Sequence, residues 1–153
     1  RYAASTAKWG MGTTLVGLIF NDEKFFVYNV GDSRVYILRD GYLSQKTRDH
    51  SLVQQVGGNA PKNLITSSIG GGSDRITVDI FDLTGKVRVN DLFIICSDGL
   101  TDFDVDKFYD EFELLINENK NDLSLLNKSL FDYALKQGSA DNISVISIMV
   151  TEE

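Results

Sequence analysis

The chain has 153 residues, enough for one domain built on one substantial core. Lys and Arg total 15 against 22 Asp and Glu, a formal net charge of −7, and this acidic balance excludes general nucleic-acid binding, which relies on a basic surface. No apolar run approaches the roughly 18–20 residues that span a membrane, and a single cysteine excludes an internal disulfide and fits a reducing, cytoplasmic setting.

The opening stretch, Arg1 to Lys8, is polar and Ala-rich, with neither the apolar core of a secretory signal nor a helix cap, and it reads as the continuation of an earlier segment. Residues 13–20 (Thr-Thr-Leu-Val-Gly-Leu-Ile-Phe) have the β-branched, apolar profile of a buried strand. After the polar turn Asn21-Asp22-Glu23 a second strand is expected over Phe25–Val30. A third, Arg34–Leu38, closes at Asp40-Gly41, a strong hairpin signal because Gly tolerates positive φ. Three strands in such quick succession predict an antiparallel meander. Residues 48–74 read as loop, punctuated by Gly57-Gly58, Pro61 and Gly70-Gly71-Gly72, with a short helix at Leu52–Val56. Strands resume at Ile76–Phe81 and Leu92–Cys96. Apolar residues at Val105, Phe108, Phe112, Leu115 and Ile116 give helical spacing from Asp104 to Asn119. A second helix, Leu123–Gln137, carries Leu126, Leu130 and Ala134 on one side and stops at Gly138, and the last strand is Ile143–Val150. The expected class is α+β, with strands stacked in two layers in a single domain over 1–153.

Three turns each place an aspartate at the edge of a predicted strand: Val30-Gly31-Asp32-Ser33, Cys96-Ser97-Asp98-Gly99 and Ala140-Asp141-Asn142-Ile143. Such carboxylates converge only if those strand ends lie side by side, and hard divalent cations want oxygen ligands of this kind. The acidic chain is therefore a candidate metal-dependent hydrolase. A phosphorylated substrate is compatible with its charge, because a bound metal reverses the local field.

In order, the motifs Gly12-Thr13-Thr14, Val30-Gly31-Asp32-Ser33-Arg34, Thr47-Arg48-Asp49-His50-Ser51, Ile65-Thr66-Ser67-Ser68-Ile69-Gly70, Cys96-Ser97-Asp98-Gly99-Leu100 and Asp141-Asn142-Ile143-Ser144 make the chain resemble the carboxy-terminal two-thirds of a PPM, or type 2C, metal-dependent protein serine/threonine phosphatase. The resemblance implies two antiparallel sheets packed face to face and flanked by helices (α-β-β-α), here without their amino-terminal third. It implies a binuclear Mn²⁺ or Mg²⁺ centre whose activated water attacks the phosphorus of phosphoserine or phosphothreonine in protein substrates. By position Asp98 and Asp141 match ligands of one of the paired metals. Asp32 and Asp102, with Asp98, match ligands of a third ion. The family's Asp-Gly-x-Gly-Gly turn and its phosphate-clamping Arg have no counterpart in these residues, so the chain alone is expected to be inactive. The segment from Asp49 to Ile65 is also short for the family's flap beside the substrate, and the substrate-binding residues stay unassigned. An alternative is a truncated or pseudophosphatase module that binds a phosphoprotein or partner without turnover. Exposed sheet faces and edges would then favour self-association.

Simpler roles compete at several positions. Asp32 is expected to pair with Arg34 or cap its turn, Asp102 to cap the following helix, and Asp141 to satisfy backbone N–H groups in its own turn. A helical turn after Gly99 would set Asp98 and Asp102 on one side. His50, the single histidine, reads as a hydrogen-bonded loop residue, and Cys96 as core.

Overall fold

The computed structural model describes residues 11–21, 24–57, 64–71, 76–102 and 107–152. In chain order these form β1 (Gly12–Thr13), β2 (Leu15–Phe20), β3 (Phe25–Val30), β4 (Arg34–Arg39), β5 (Tyr42–Gln45), α1 (Leu52–Val56), β6 (Ile69–Gly70), β7 (Asp79–Asp82), β8 (Leu92–Cys96), a 3₁₀ turn (Asp98–Leu100), α2 (Tyr109–Asn119), α3 (Leu123–Lys136) and β9 (Val145–Met149). One antiparallel sheet has the order β2-β3-β7 and a second β5-β4-β8-β9, while β1 and β6 pair as a short ribbon.

The period-2 alternation of the two central strands builds two cores at once. Val35 and Ile37 of β4 and Phe93 of β8 face Val27 of β3, filling the space between the sheets. Their neighbours Tyr36, Leu38, Leu92, Ile94 and Cys96 face the helices. There they meet Phe112 and Ile116 of α2 and Leu126, Leu130 and Ala134 of α3, each set spaced four residues apart along one helix face. Because β4 and β8 are buried on both faces, they read in sequence as nearly continuous apolar runs. Asp122 caps α3, its Oδ1 accepting from the N–H groups of Ser124 and Leu125, and Gly138 follows the helix at φ 93°.

The expected meander is corrected at β4. Strands β2 and β3 pair, from Leu15↔Val30 to Phe20↔Phe25, but β4 pairs with β5 and β8 in the other sheet. The chain changes layers at Gly31-Asp32-Ser33, because β4 has apolar residues on both faces and needs a central position between helices and sheet. Asp40 (φ 53°) and Gly41 (φ 87°) make the two-residue hairpin loop joining β4 to β5, with Arg39↔Tyr42 as its first pair. The long first strand breaks at Thr14, and β5 and β6, too short and polar to be read as strands, were not anticipated. The described part of the first long helix begins at Tyr109. Its expected start at Asp104-Val105 lies outside the described residues, as do the opening stretch Arg1–Lys8, Asp22-Glu23 of the first turn, Gly58, Pro61 and Gly72.

The outer face of the three-stranded sheet has no helix over it among the described residues, leaving Ile19 60% and Ile80 67% exposed. Among the described residues no helix is long and apolar enough to cross a membrane.

The position of the helix-side core yields a stability prediction. Phe112→Ala should cost about 3–5 kcal/mol in equilibrium denaturation, because the ring is fully buried against Tyr36 and Tyr133. Leu114→Ala, on the exposed side of the same helix, should stay within about 0.5 kcal/mol of the parent.

Candidate metal centre

The layer-changing turn after β3 is built around Gly31. Its φ of 109° is open to glycine, and a Cβ there would stand 2.3 Å from Thr14 Cγ2. His50 grips this glycine from both sides: its backbone N–H donates to Gly31 O (2.9 Å) and its Nδ1 accepts from Gly31 N–H (3.1 Å). Asn29 Nδ2 donates to Gly31 O (3.0 Å) and to Arg48 O (2.9 Å), tying the turn to the loop that carries His50. His50 is thus a hydrogen-bonded loop histidine. Its Nε2 lies 3.2 Å from Asp79 Oδ2 and makes no hydrogen bond among the described residues. The next residue, Asp32, is buried, and beyond it Ser33 Oγ meets Thr14 Oγ1 at 2.9 Å.

The second turn follows β8. Asp98 opens the 3₁₀ turn, its Oδ1 accepting from Gly99 N–H (3.0 Å) and its carbonyl from Thr101 N–H (2.7 Å). A Cβ on Gly99 would lie 2.3 Å from Asn142 O, so glycine is what lets this turn rest against the one bearing Asp141. Ser139 Oγ donates to Gly99 O at 2.6 Å, and Asp141 Oδ1 accepts from Asn142 N–H at 2.6 Å.

Asp32 and Asp98 line one open cleft of about 400 Å³, walled by Gly12, Thr14, Ser68 and Gly71. Burial pushes the Asp98 carboxyl above the usual range, and the negative charges of Asp141 and then Asp102 push it further. Asp32 is likewise raised, by burial first and then by the charge of Asp98. Asp98 therefore lies within electrostatic reach of each of the other three expected ligand residues. Acids elsewhere are treated differently. Burial also raises Asp91, but the forked Arg39 guanidinium (2.7 and 2.6 Å) outweighs it, and the net shift is downward.

Two of the simpler readings are corrected here. Arg34 does not pair with Asp32: its Nη2 donates to Asp49 Oδ2 at 2.6 Å and its Nε sits 3.1 Å from both Asp49 oxygens. Nor does Asp102 cap α2, whose N-cap is Phe108. Cys96 is core, and burial pushes its thiol up to about 12, which excludes a thiolate nucleophile near neutral pH.

An all-oxygen set, with Asp32 buried and Asp98, Asp102 and Asp141 exposed, fits a hard divalent cation. The enclosure is incomplete, since among the described residues no three His, Cys, Asp or Glu side chains stand together closely enough to hold an ion. A second cleft, about 370 Å³ at the other end of the sandwich by Phe20, Phe25 and Phe93, is mainly apolar and lined by no carboxylate. Residues sequence reasoning passed over are Thr14, Ser33, Ser97 and Ser139, whose hydroxyls join the turns; their only signal was lying beside the aspartates and glycines of the motifs.

Residues 1–55 match the Protein phosphatase 2C family. The serine/threonine phosphatase stp of Listeria monocytogenes is 33% identical over 149 residues, covering 91% of this chain and 57% of the relative. PstP of Mycobacterium tuberculosis is 32% identical over 147 residues, covering 90% of this chain and 27% of its own length. Among solved structures, PppA of Pseudomonas aeruginosa superposes with a TM-score of 0.81 at 30% identity, over 95% of this chain and 61% of that one. The catalytic domain of PstP in complex with 2 manganese ions superposes with a TM-score of 0.77 at 30% identity, over 98% and 65%. The chain belongs to the PPM, or type 2C, protein phosphatase family and has its α+β sandwich. It spans 57% of the length of the Listeria relative.

The raised carboxyls predict how metal-free stability follows pH. A carboxyl whose folded-state pKa lies above its unfolded value makes the folded state bind more protons, so stability falls as pH rises from the ordinary range near 3.8 through the raised value. Without divalent ions, Asp98→Asn should raise Tm at pH 7 by about 1–3 °C, and the gain should vanish below pH ~4, as followed by calorimetry.

Proposed function

We propose that this chain works as part of a metal-dependent protein serine/threonine phosphatase that hydrolyses phosphoserine and phosphothreonine in protein substrates in the cytoplasm. The observation carrying this reading is the convergence of Asp32 and Asp98, 66 residues apart in the chain, on one cleft where the negative charge of Asp98 acts on Asp32 and favours a bound cation. Asp98 and Asp141 would hold one of a pair of Mn²⁺ or Mg²⁺ ions, and Asp32, Asp98 and Asp102 a third. When bound, such ions supply an activated water and neutralise charge on the transferring phosphoryl group. The chain's own part is to hold the carboxylates in place: Gly31, gripped by His50, fixes Asp32, and Gly99, seated against Asn142, brings Asp98 to Asp141. The relative PstP crystallised with manganese and the oxygen-only donor set support the choice of metal. The single cysteine, buried and free, supports a reducing compartment.

A second reading, a non-catalytic module that binds a phosphoprotein, is favoured by the incomplete enclosure among the described residues. Activity separates the two. The 153-residue chain alone should show no turnover of p-nitrophenyl phosphate with millimolar Mn²⁺, but Mn²⁺ should raise its Tm and Asp98→Ala should abolish that rise. A protein of the relatives' full length should hydrolyse a phosphothreonine peptide, and Asp98→Ala there should lower kcat by about 100-fold or more. Turnover that persists through Asp98→Ala would overturn the phosphatase reading of this cleft; binding of the peptide without turnover would establish the module.

The apolar face at Ile19 and Ile80, uncovered among the described residues and flanked by the sheet edges β2 and β7, which pair with no other described strand on their outer sides, supports self-association of the isolated chain. Light scattering should show dimers or larger species, reduced by Ile80→Lys; a strict monomer at all concentrations would count against it.

A further inference from the structure

We propose that Ser97 is a positioning residue, a hydroxyl latch that holds the Asp98 turn against the Asp141 turn and so presets their two carboxylates for a divalent cation. The inference rests on the metal reading of the cleft. The ladder between β8 and β9 ends at Cys96↔Val145, with one further backbone bond from Ser97 N–H to Ser144 O at 3.0 Å. Beyond that point β8 leaves for its 3₁₀ turn and can offer the incoming strand no more carbonyls. Ser97 Oγ takes over. It accepts from Ser144 N–H at 3.0 Å and donates to Asn142 O at 3.1 Å, so a single side chain carries the pairing one step past the end of the sheet. A hydroxyl is the right group, since it donates once and accepts at the same time.

The position of the latch matters more than its strength. Ser97 is bonded in the chain to Asp98, and Asn142 to Asp141, so each end of the hydroxyl bridge is one residue from a carboxylate. The two carboxylates repel, and Asp141 is the leading charged neighbour acting on Asp98. Something must oppose the splaying of the turns in the metal-free protein. Ser139 Oγ, donating to Gly99 O at 2.6 Å, supplies a second clamp on the same pair of turns. Groups that orient metal ligands without touching the ion typically govern affinity by about 10–100-fold, and Ser97 has that relation to Asp98.

The test is Mn²⁺ titration of the purified protein, read by the electron paramagnetic resonance signal of free Mn²⁺ well below Tm, with Tm measured in parallel. Ser97→Ala should weaken Mn²⁺ binding by about 10-fold or more while the metal-free Tm changes little, and Ser97→Thr, which keeps the hydroxyl, should bind within two-fold of the parent. Mn²⁺ binding by Ser97→Ala within two-fold of the parent would overturn the latch. Should Ser97→Ala not fold, Ser139→Ala removes the second clamp and must weaken Mn²⁺ binding in the same sense, or the proposal fails. Asp98→Asn separates the two layers of the argument: if it loses Mn²⁺ while Ser97→Ala keeps it, the latch is wrong and the metal site stands; if it keeps Mn²⁺, both fall together.

Discussion

The register between β4 and β8 is the constraint on which the rest of this structure depends. Arg34 pairs with Cys96 and Leu38 with Leu92, and continuing that antiparallel register past the strand ends sets residue 32 opposite residue 98. The two cleft aspartates are therefore neighbours because of backbone hydrogen bonding between buried strands, before any side-chain chemistry is considered. The register is in turn enforced by packing. A slip of β4 by one residue would turn Tyr36 and Leu38 from the helices toward the other sheet, and a slip of β8 would do the same to Leu92 and Ile94. The same logic extends to β9, whose pairing of Val145 with Cys96 brings the Asp141 turn alongside. A site assembled this way inherits the rigidity of the core.

Gathering carboxylates at one sheet edge is unfavourable in isolation, and the molecule shows what it does with acids it does not need to keep open. Asp91 is almost fully buried and is forked by Arg39 with a further hydrogen bond from Arg88 N–H. Asp49 is forked by Arg34 and also accepts from Gln45 Nε2. Among the described residues Asp32 and Asp98 receive no comparable fork; Arg34, two residues from Asp32 in sequence, acts on it only through its charge. The available cation is turned away from the cleft, across β4 toward the loop. The commitment of Arg34 to Asp49 leaves Asp32 without a fork. It also explains why the simplest sequence reading of Asp32, as the partner of Arg34, fails: the pairing was judged by proximity in the chain, whereas Arg34 belongs to a strand and its side chain reaches over to Asp49.

Much of the fold was legible where one period dominated. The helix at Leu123–Lys136 shows in Leu126, Leu130 and Ala134 and is bounded by Asp122 and Gly138, and β3 and β8 fall where their apolar runs predict. The hairpin at Asp40-Gly41 was legible because its two residues accept positive φ. What was not legible was sheet membership. Consecutive strands joined by a short turn usually pair, and only the two-faced burial of β4 shows that the Gly31 turn crosses between layers instead. At the site, the four aspartates came from turn chemistry and motif order, but the hydroxyls of Thr14, Ser33, Ser97 and Ser139 did not. Serine and threonine beside a turn have many local uses, and nothing in a linear sequence says that Ser97 will bond a residue 45 positions away.

The walls of the cleft are made differently from its floor. Asp32 and Asp98 stand at the ends of the most deeply buried strands, whereas Gly12, Ser68 and Gly71 come from a ribbon with two residue pairs, Gly12↔Gly70 and Thr13↔Ile69. That ribbon is closely fitted, since a Cβ at Gly70 would stand 2.6 Å from Met11 O, but it contributes little apolar burial and Met11 and Ile69 remain exposed. Local stability tracks buried apolar contact, so the wall opens at lower free-energy cost than the floor. A cleft that must keep carboxylate oxygens in fixed relation is served by that division, rigid at its floor and yielding at its wall. The ribbon is thus the part of the cleft free to adjust, while its carboxylates stay with the register of β4, β8 and β9.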